Sequence, residues 1–138
     1  MPESIQHVRL VNDLCGYICN EFLNGDSGTI LRDSSGVSAH ERCYEINGYI
    51  PDVIAKSFTG SIDFVIGEAK TNRDIETKHT ALQLESYLTF CSQESHSAIL
   101  VVAVPWAYHR IARQILFNIA RRKNLSTSKF IVPGIFRA

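Results

Sequence analysis

Three charged residues stand where an apolar core is expected. Asp52 lies within residues 44–55, and Glu68 and Lys70 within 62–71, in two segments that otherwise read as apolar strands. Alternate strand residues share a face, so Ile62, Phe64, Ile66, Glu68 and Lys70 form one row, and Ile50, Asp52 and Ile54 another. Pairing of the two strands would bring two carboxylates and an ammonium together at the rim of an apolar surface. Without compensation such packing costs on the order of several kcal/mol, so it requires mutual pairing or a bound cation. Two carboxylates and a backbone carbonyl suit Mg²⁺ or Mn²⁺, hard cations that keep several waters and engage phosphate oxygens. Beside them, Lys70 would orient or help deprotonate a water, or stabilise charge developing on a phosphate. In outline this is phosphodiester hydrolysis.

The elements that must position these groups follow from periodicity. Over 4–23, Ile5, Val8, Val11, Leu14, Cys15, Ile18 and Phe22 recur at three- and four-residue steps, predicting an amphipathic helix ended by Asn24-Gly25-Asp26. Strands are predicted at 29–32, 44–55 and 62–71, separated by the turn clusters 33–36 and 57–60, and three in a row imply an antiparallel meander. A helix is expected over about 75–92, then a strand buried on both faces at 97–104. Pro105 opens a helix over 106–123, and 130–135 adds a last strand. The expected order is α-β-β-β-α-β-α-β, an α/β fold in which helices flank a mixed β-sheet, all in one domain spanning 1–138.

Pro51-Asp52, fifteen residues, then Glu68-Ala69-Lys70 resembles the PD-(D/E)XK pattern of the restriction-endonuclease-like nucleases, on consecutive strands as in that superfamily. The resemblance covers roughly residues 1–105 by order of elements. Gln83-Leu84-Glu85-Ser86-Tyr87 is similar to the Q-x-x-x-Y motif of its exonuclease-V-like branch, while Gly48-x-x-Pro51-Asp52 is similar to the stand-alone VRR-NUC nucleases. The resemblance implies a restriction-endonuclease-like fold and Mg²⁺- or Mn²⁺-dependent cleavage of DNA. Asp52, Glu68 and the Ala69 carbonyl would hold the metal, Lys70 would position the attacking water, and Gln83 and Tyr87 would support the site or touch substrate. His79 extends the Gln83/Tyr87 row by a helical turn. Members often add an acid from the first helix, for which Glu3 and Glu21 are the candidates. No iron-sulfur cluster is expected, because no cysteine follows Cys91, and the chain leaves no room for a separate target-recognition domain.

Composition sets limits. Lys plus Arg equal Asp plus Glu at 14 each, so global charge lends nucleic-acid binding no support. Arg110, Arg113, Arg121, Arg122 and Lys123 form the most basic stretch, readable as a solvated helix face or as a contact for a phosphate backbone. Its side of the molecule decides between them. Tyr17, Trp106 and Tyr108 are of a type that can stack on bases, but aromatics at helix starts and interiors more often pack, and they are given no role. Cys15, Cys19, Cys43 and Cys91 contain no C-x-x-C pair and are expected as reduced, mostly buried thiols. Lacking a long apolar run or a secretory leader, the chain is expected in the cytoplasm, away from membranes. A compact, neutral nuclease is expected to act on DNA as a homodimer or beside a partner protein that supplies targeting. The competing expectation is a nuclease-fold module that binds protein or nucleic acid without cutting.

Overall fold

In the computed structural model, residues 4–23, 28–33, 42–58, 61–93 and 97–137 are described. Five strands form one sheet in spatial order β1-β2-β3-β4-β5, with β1 Gly28–Arg32, β2 Val53–Ser57, β3 Phe64–Ala69, β4 Ala98–Ala103 and β5 Phe130–Ile131. The first three strands are antiparallel neighbours, and β4 and β5 continue the sheet in parallel. Antiparallel strands need only short connections, whereas parallel ones need a crossover. The two crossovers are α2 Lys78–Cys91, between β3 and β4, and α3 His109–Lys123, between β4 and β5. With α1 Ile5–Ile18 leading, the chain order is α-β-β-β-α-β-α-β. The result is a mixed α/β fold with an open sheet flanked by helices.

Each face of the sheet has its own core. Leu10, Leu14 and Ile18 of α1 pack with Val53, Ala55, Val65, Val101 and Ala103. Gly67 lets α1 come this close: a Cβ there would sit 2.9 Å from Ile18 Cδ1 and 3.0 Å from Leu14 Cδ2, inside normal contact. On the opposite face, Ile54, Ile66, Leu100 and Val102 pack with Leu84, Tyr87 and Leu88 of α2 and with Ala112, Leu116 and Ile119 of α3. Every residue of β4 is buried, as its unbroken apolar run requires.

Several boundaries depart from expectation. The 44–55 segment is not one strand, because Asn47 and Gly48 take positive φ (49° and 95°) and Ile46 pairs with Tyr49 in a two-residue hairpin turn. Ladder pairing then starts only at Val53, since Pro51 has no N–H and the Asp52 N–H turns to a side chain. The expected 75–92 helix starts three residues later: Asp74 and Ile75 N–H bond the Thr71 carbonyl in a turn, and Thr77 caps α2 by accepting from Thr80 N–H at 3.1 Å. The first helix closes in a π-helical turn, Cys19–Leu23, and α3 is preceded by a 3₁₀ turn, Trp106–Tyr108. The expected 130–135 strand shrinks to Phe130–Ile131 ahead of Pro133, which has no N–H to give a ladder. The turn residues 24–26, 34–36 and 59–60 lie outside the described residues. No helix among the described residues is long and apolar enough to cross a membrane.

Candidate active site

Register brings the charges together. Ile54 pairs with Ile66 and Val53 with Gly67, so the next step places Asp52 opposite Glu68. The Asp52 N–H donates to Glu68 Oε1 at 3.3 Å, and the Ala69 N–H donates to Asp52 Oδ2 at 2.9 Å. In an extended chain a residue's N–H and C=O leave toward the same side, so the Ala69 carbonyl also faces the Asp52 edge of β3. Lys70 Nζ lies 3.5 Å from Glu68 Oε2, and its backbone N–H donates to the Ala103 carbonyl at 2.9 Å, carrying β3 pairing one residue past the strand's end. All three side chains are enclosed: Asp52 is 8% exposed, Glu68 3% and Lys70 9%.

The helix after β3 contributes as its spacing implies. Four residues apart on α2, Gln83 and Tyr87 share a face turned to the sheet, and both are buried. Gln83 Nε2 donates to Glu68 Oε2 at 3.3 Å and lies 3.2 Å from the Tyr87 hydroxyl. Its other amide atom, Oε1, is buried without a hydrogen-bond partner among the described residues. His79, one turn earlier, is exposed, and its ring packs edge-on against Tyr49 at 5.6 Å rather than reaching the carboxylates. Tyr49 in turn meets Tyr87 at 6.4 Å, so His79 belongs to an aromatic rim around the site.

The first helix supplies a group that the motif does not name. Ser4 caps α1 by accepting from the His7 N–H at 3.1 Å, and His7 Nε2 lies 3.2 Å from Asp52 Oδ2. The signal was present in the sequence: His7 continues the buried Leu10, Leu14, Ile18 stripe by one turn toward the N-terminus. Of the two candidate acids, Glu3 lies outside the described residues. Glu21 is exposed in the terminal π turn, about 20 Å along the helix from His7, and has no access to the carboxylates.

Burial controls the electrostatics. Glu68 is held well above its ordinary value near 4.5, first by desolvation and then by the Asp52 charge, which the Lys70 ammonium only partly offsets. Burial likewise raises the Tyr87 hydroxyl, with the Glu68 charge adding to the effect. Two desolvated carboxylates thus share one ammonium, with His7 beside Asp52, and ionising Glu68 there is costly. No protein-family model, curated protein or solved structure matches the chain. Among the described residues, no group of three or more His, Cys, Asp and Glu side chains is arranged to hold a metal ion. The oxygen donor set brought together here is Asp52, Glu68 and the Ala69 carbonyl, with His7 Nε2 on Asp52 beside it. The set fits a hard divalent cation that retains waters, and the cation's charge would offset the cost of ionising Glu68.

The basic stretch of α3 divides between its ends. Arg122 and Lys123 reach Glu85 Oε1 and Oε2 at 3.1 and 3.9 Å, near the helix C-terminus where cations are favoured. Glu85 lies two residues from Gln83, about 200° around α2, so this cluster faces away from the carboxylates. It braces α2 against α3. All four cysteines are free, Cys43 and Cys91 buried and Cys15 and Cys19 half-buried, with burial pushing the Cys43 and Cys91 thiols up to about 12.

Proposed function

We propose that the protein is a metal-dependent nuclease of restriction-endonuclease-like fold that hydrolyses phosphodiester bonds in DNA. The observation that carries this reading is the convergence of Asp52, Glu68 and Lys70 at one end of the β2–β3 pair, with Gln83 fixed on Glu68. Asp52, Glu68 and the Ala69 carbonyl hold Mg²⁺ or Mn²⁺. When bound, the ion supplies Lewis-acid polarisation of the scissile phosphate and a more acidic water.

The remaining roles belong to the chain. Lys70 Nζ, a donor with no acceptor capacity, orients the attacking water through that water's lone pair and stabilises charge on the phosphate. Gln83 Nε2 holds Glu68 in a metal-ready orientation, and Tyr87 packs behind Gln83. His7 Nε2 orients Asp52 from the opposite side.

One observation favours a second reading, a nuclease-fold module that binds without cutting. The Lys70–Glu68 pair is already closed at 3.5 Å with both residues buried, as a purely structural ion pair would be. The two readings separate in a single assay: purified protein with plasmid, linear duplex, single-stranded and branched DNA, with Mg²⁺ or Mn²⁺ added. The nuclease reading expects cleavage that Glu68→Ala and Lys70→Ala abolish. Binding without cleavage of any substrate supports the module instead. Gel filtration and crosslinking of the same sample test the expected homodimer.

A further inference from the structure

Beyond the carboxylates, the same end of the sheet carries the chain's single tryptophan, and it is exposed. Trp106 is 65% accessible, one of the most exposed large side chains described. Its backbone is anchored: the main-chain N–H donates to the Phe136 carbonyl at 2.8 Å, and the residue sits in the 3₁₀ turn that leads into α3. Other aromatics of the fold are committed to neighbours, as in Tyr49 with Tyr87, Phe64 with Phe90 and Phe117 with Phe130. Among the described residues no ring or cation is stacked on Trp106. An indole with most of its surface in water has no role in the core.

Chain connectivity places it beside the site. Ala103, whose carbonyl accepts from the Lys70 N–H, lies three residues upstream, so at most about 14 Å of backbone separates Trp106 from Lys70. Two exposed cations belong to the same end of the sheet. Arg110 follows one helical turn later, and Arg73 lies in the turn that closes with Asp74 N–H on the Thr71 carbonyl, three residues past Lys70. Both are exposed, and neither is in an ion pair among the described residues. They contrast with Arg113, which lies over Phe117, and with Arg122 and Lys123, which are on Glu85. At the start of α3 the helix dipole disfavours a cation, so Arg110 gains nothing from the helix it sits on.

We infer that Trp106 is a base-stacking platform for the nucleic-acid strand entering the Asp52/Glu68/Lys70 site, with Arg73 and Arg110 on the flanking phosphates. This inference rests on the nuclease reading and narrows its substrate. The faces of paired bases are already covered within a duplex, so an indole platform engages an unpaired base. The preferred substrate is single-stranded DNA or a duplex with an unpaired end, rather than intact duplex.

The sole tryptophan is also its own reporter. The full chain, kept free of divalent metal so that nothing is cut, is titrated with oligo-dT and with a blunt-ended duplex while indole emission is followed. Binding is measured in parallel by the anisotropy of labelled DNA. Expected are quenching by oligo-dT, weaker binding of the blunt duplex, an affinity loss of about tenfold in Trp106→Ala, and recovery of most of it in Trp106→Phe. Arg110→Ala should weaken binding and flatten its salt dependence. If oligo-dT binds or is cut while emission stays constant and Trp106→Ala behaves as wild type, the platform is wrong and the nuclease reading stands. Tighter binding of the blunt duplex overturns the preference for an unpaired base. Absence of both binding and metal-dependent cleavage for every DNA tested overturns the platform together with the reading it rests on.

Discussion

Strand β3 has two halves, equally buried and opposite in chemistry. In the first, Ile66 packs between Ile54 and Leu100 with no polar atom to satisfy, so burial is favourable throughout. In the second, Glu68 and Lys70 sit on the same face at similar depth, and every stabilising contact there offsets a desolvation cost. The first half is complete as it stands. The second holds a carboxyl that burial pushes toward its protonated form and a Gln83 oxygen with no hydrogen-bond partner among the described residues, two features of a site built to receive something.

The contrast can be broken from either side. The largest effect should come from Glu68→Ala, which is expected to lower DNA cleavage by about a thousandfold or more, with Lys70→Ala costing roughly a hundredfold to a thousandfold. Steady-state cleavage in Mg²⁺ checks both. Ile66→Ala on the apolar half should reverse the pattern: unfolding in denaturant is expected to show a loss of about 2–5 kcal/mol, while the folded fraction still cuts at near wild-type rate. Gln83→Ala, which frees Glu68 without removing it, should reduce cleavage or Mn²⁺ affinity by about 10–100-fold, with a smaller change in stability.

The pH dependence of the metal-free protein sharpens the same comparison. Because the Glu68 carboxyl is raised in the folded state, the native protein keeps a proton that the unfolded chain has already lost. Stability should therefore fall as pH rises from the ordinary carboxylate value near 4.5 toward the raised folded value, and level off above it. Glu68→Gln should flatten that decline, and added Mg²⁺ should reverse it in the wild type but not in the variant. Chemical denaturation across pH measures it. The smallest change expected is in Gly48→Ala, where φ of 95° would strain any side chain by about 1 kcal/mol and loosen the hairpin leading into Asp52.

Much of this was legible in the sequence because period-two alternation and four-residue helical spacing carry through to three dimensions. Alternation aligned Glu68 and Lys70 behind Ile66, and the Gln83/Tyr87 spacing turned both toward the sheet. The Asn47-Gly48 turn was hidden by the same rule: Tyr44, Ile46 and Ile50 keep an apparent alternation straight through it, although the Asn-Gly pair marks a hairpin. His7 was missed because a lone histidine in an apolar stripe resembles a packing residue until tertiary structure brings Asp52 to it. His79 obeys the spacing, but in the first turn of α2 its ring meets Tyr49 at the rim rather than the carboxylates. Trp106 had no local signal, because its exposure depends on how the β4–α3 junction folds.

The central claim is that Asp52 and Glu68 jointly grip a divalent cation, and diffraction from crystals soaked in Mn²⁺ at the manganese edge tests it most directly. The account predicts an anomalous peak within coordination distance of both carboxylates and the Ala69 carbonyl, with Lys70 Nζ moved off Glu68 toward a bound water. No peak there, with the Lys70–Glu68 contact unchanged at saturating Mn²⁺, would contradict it.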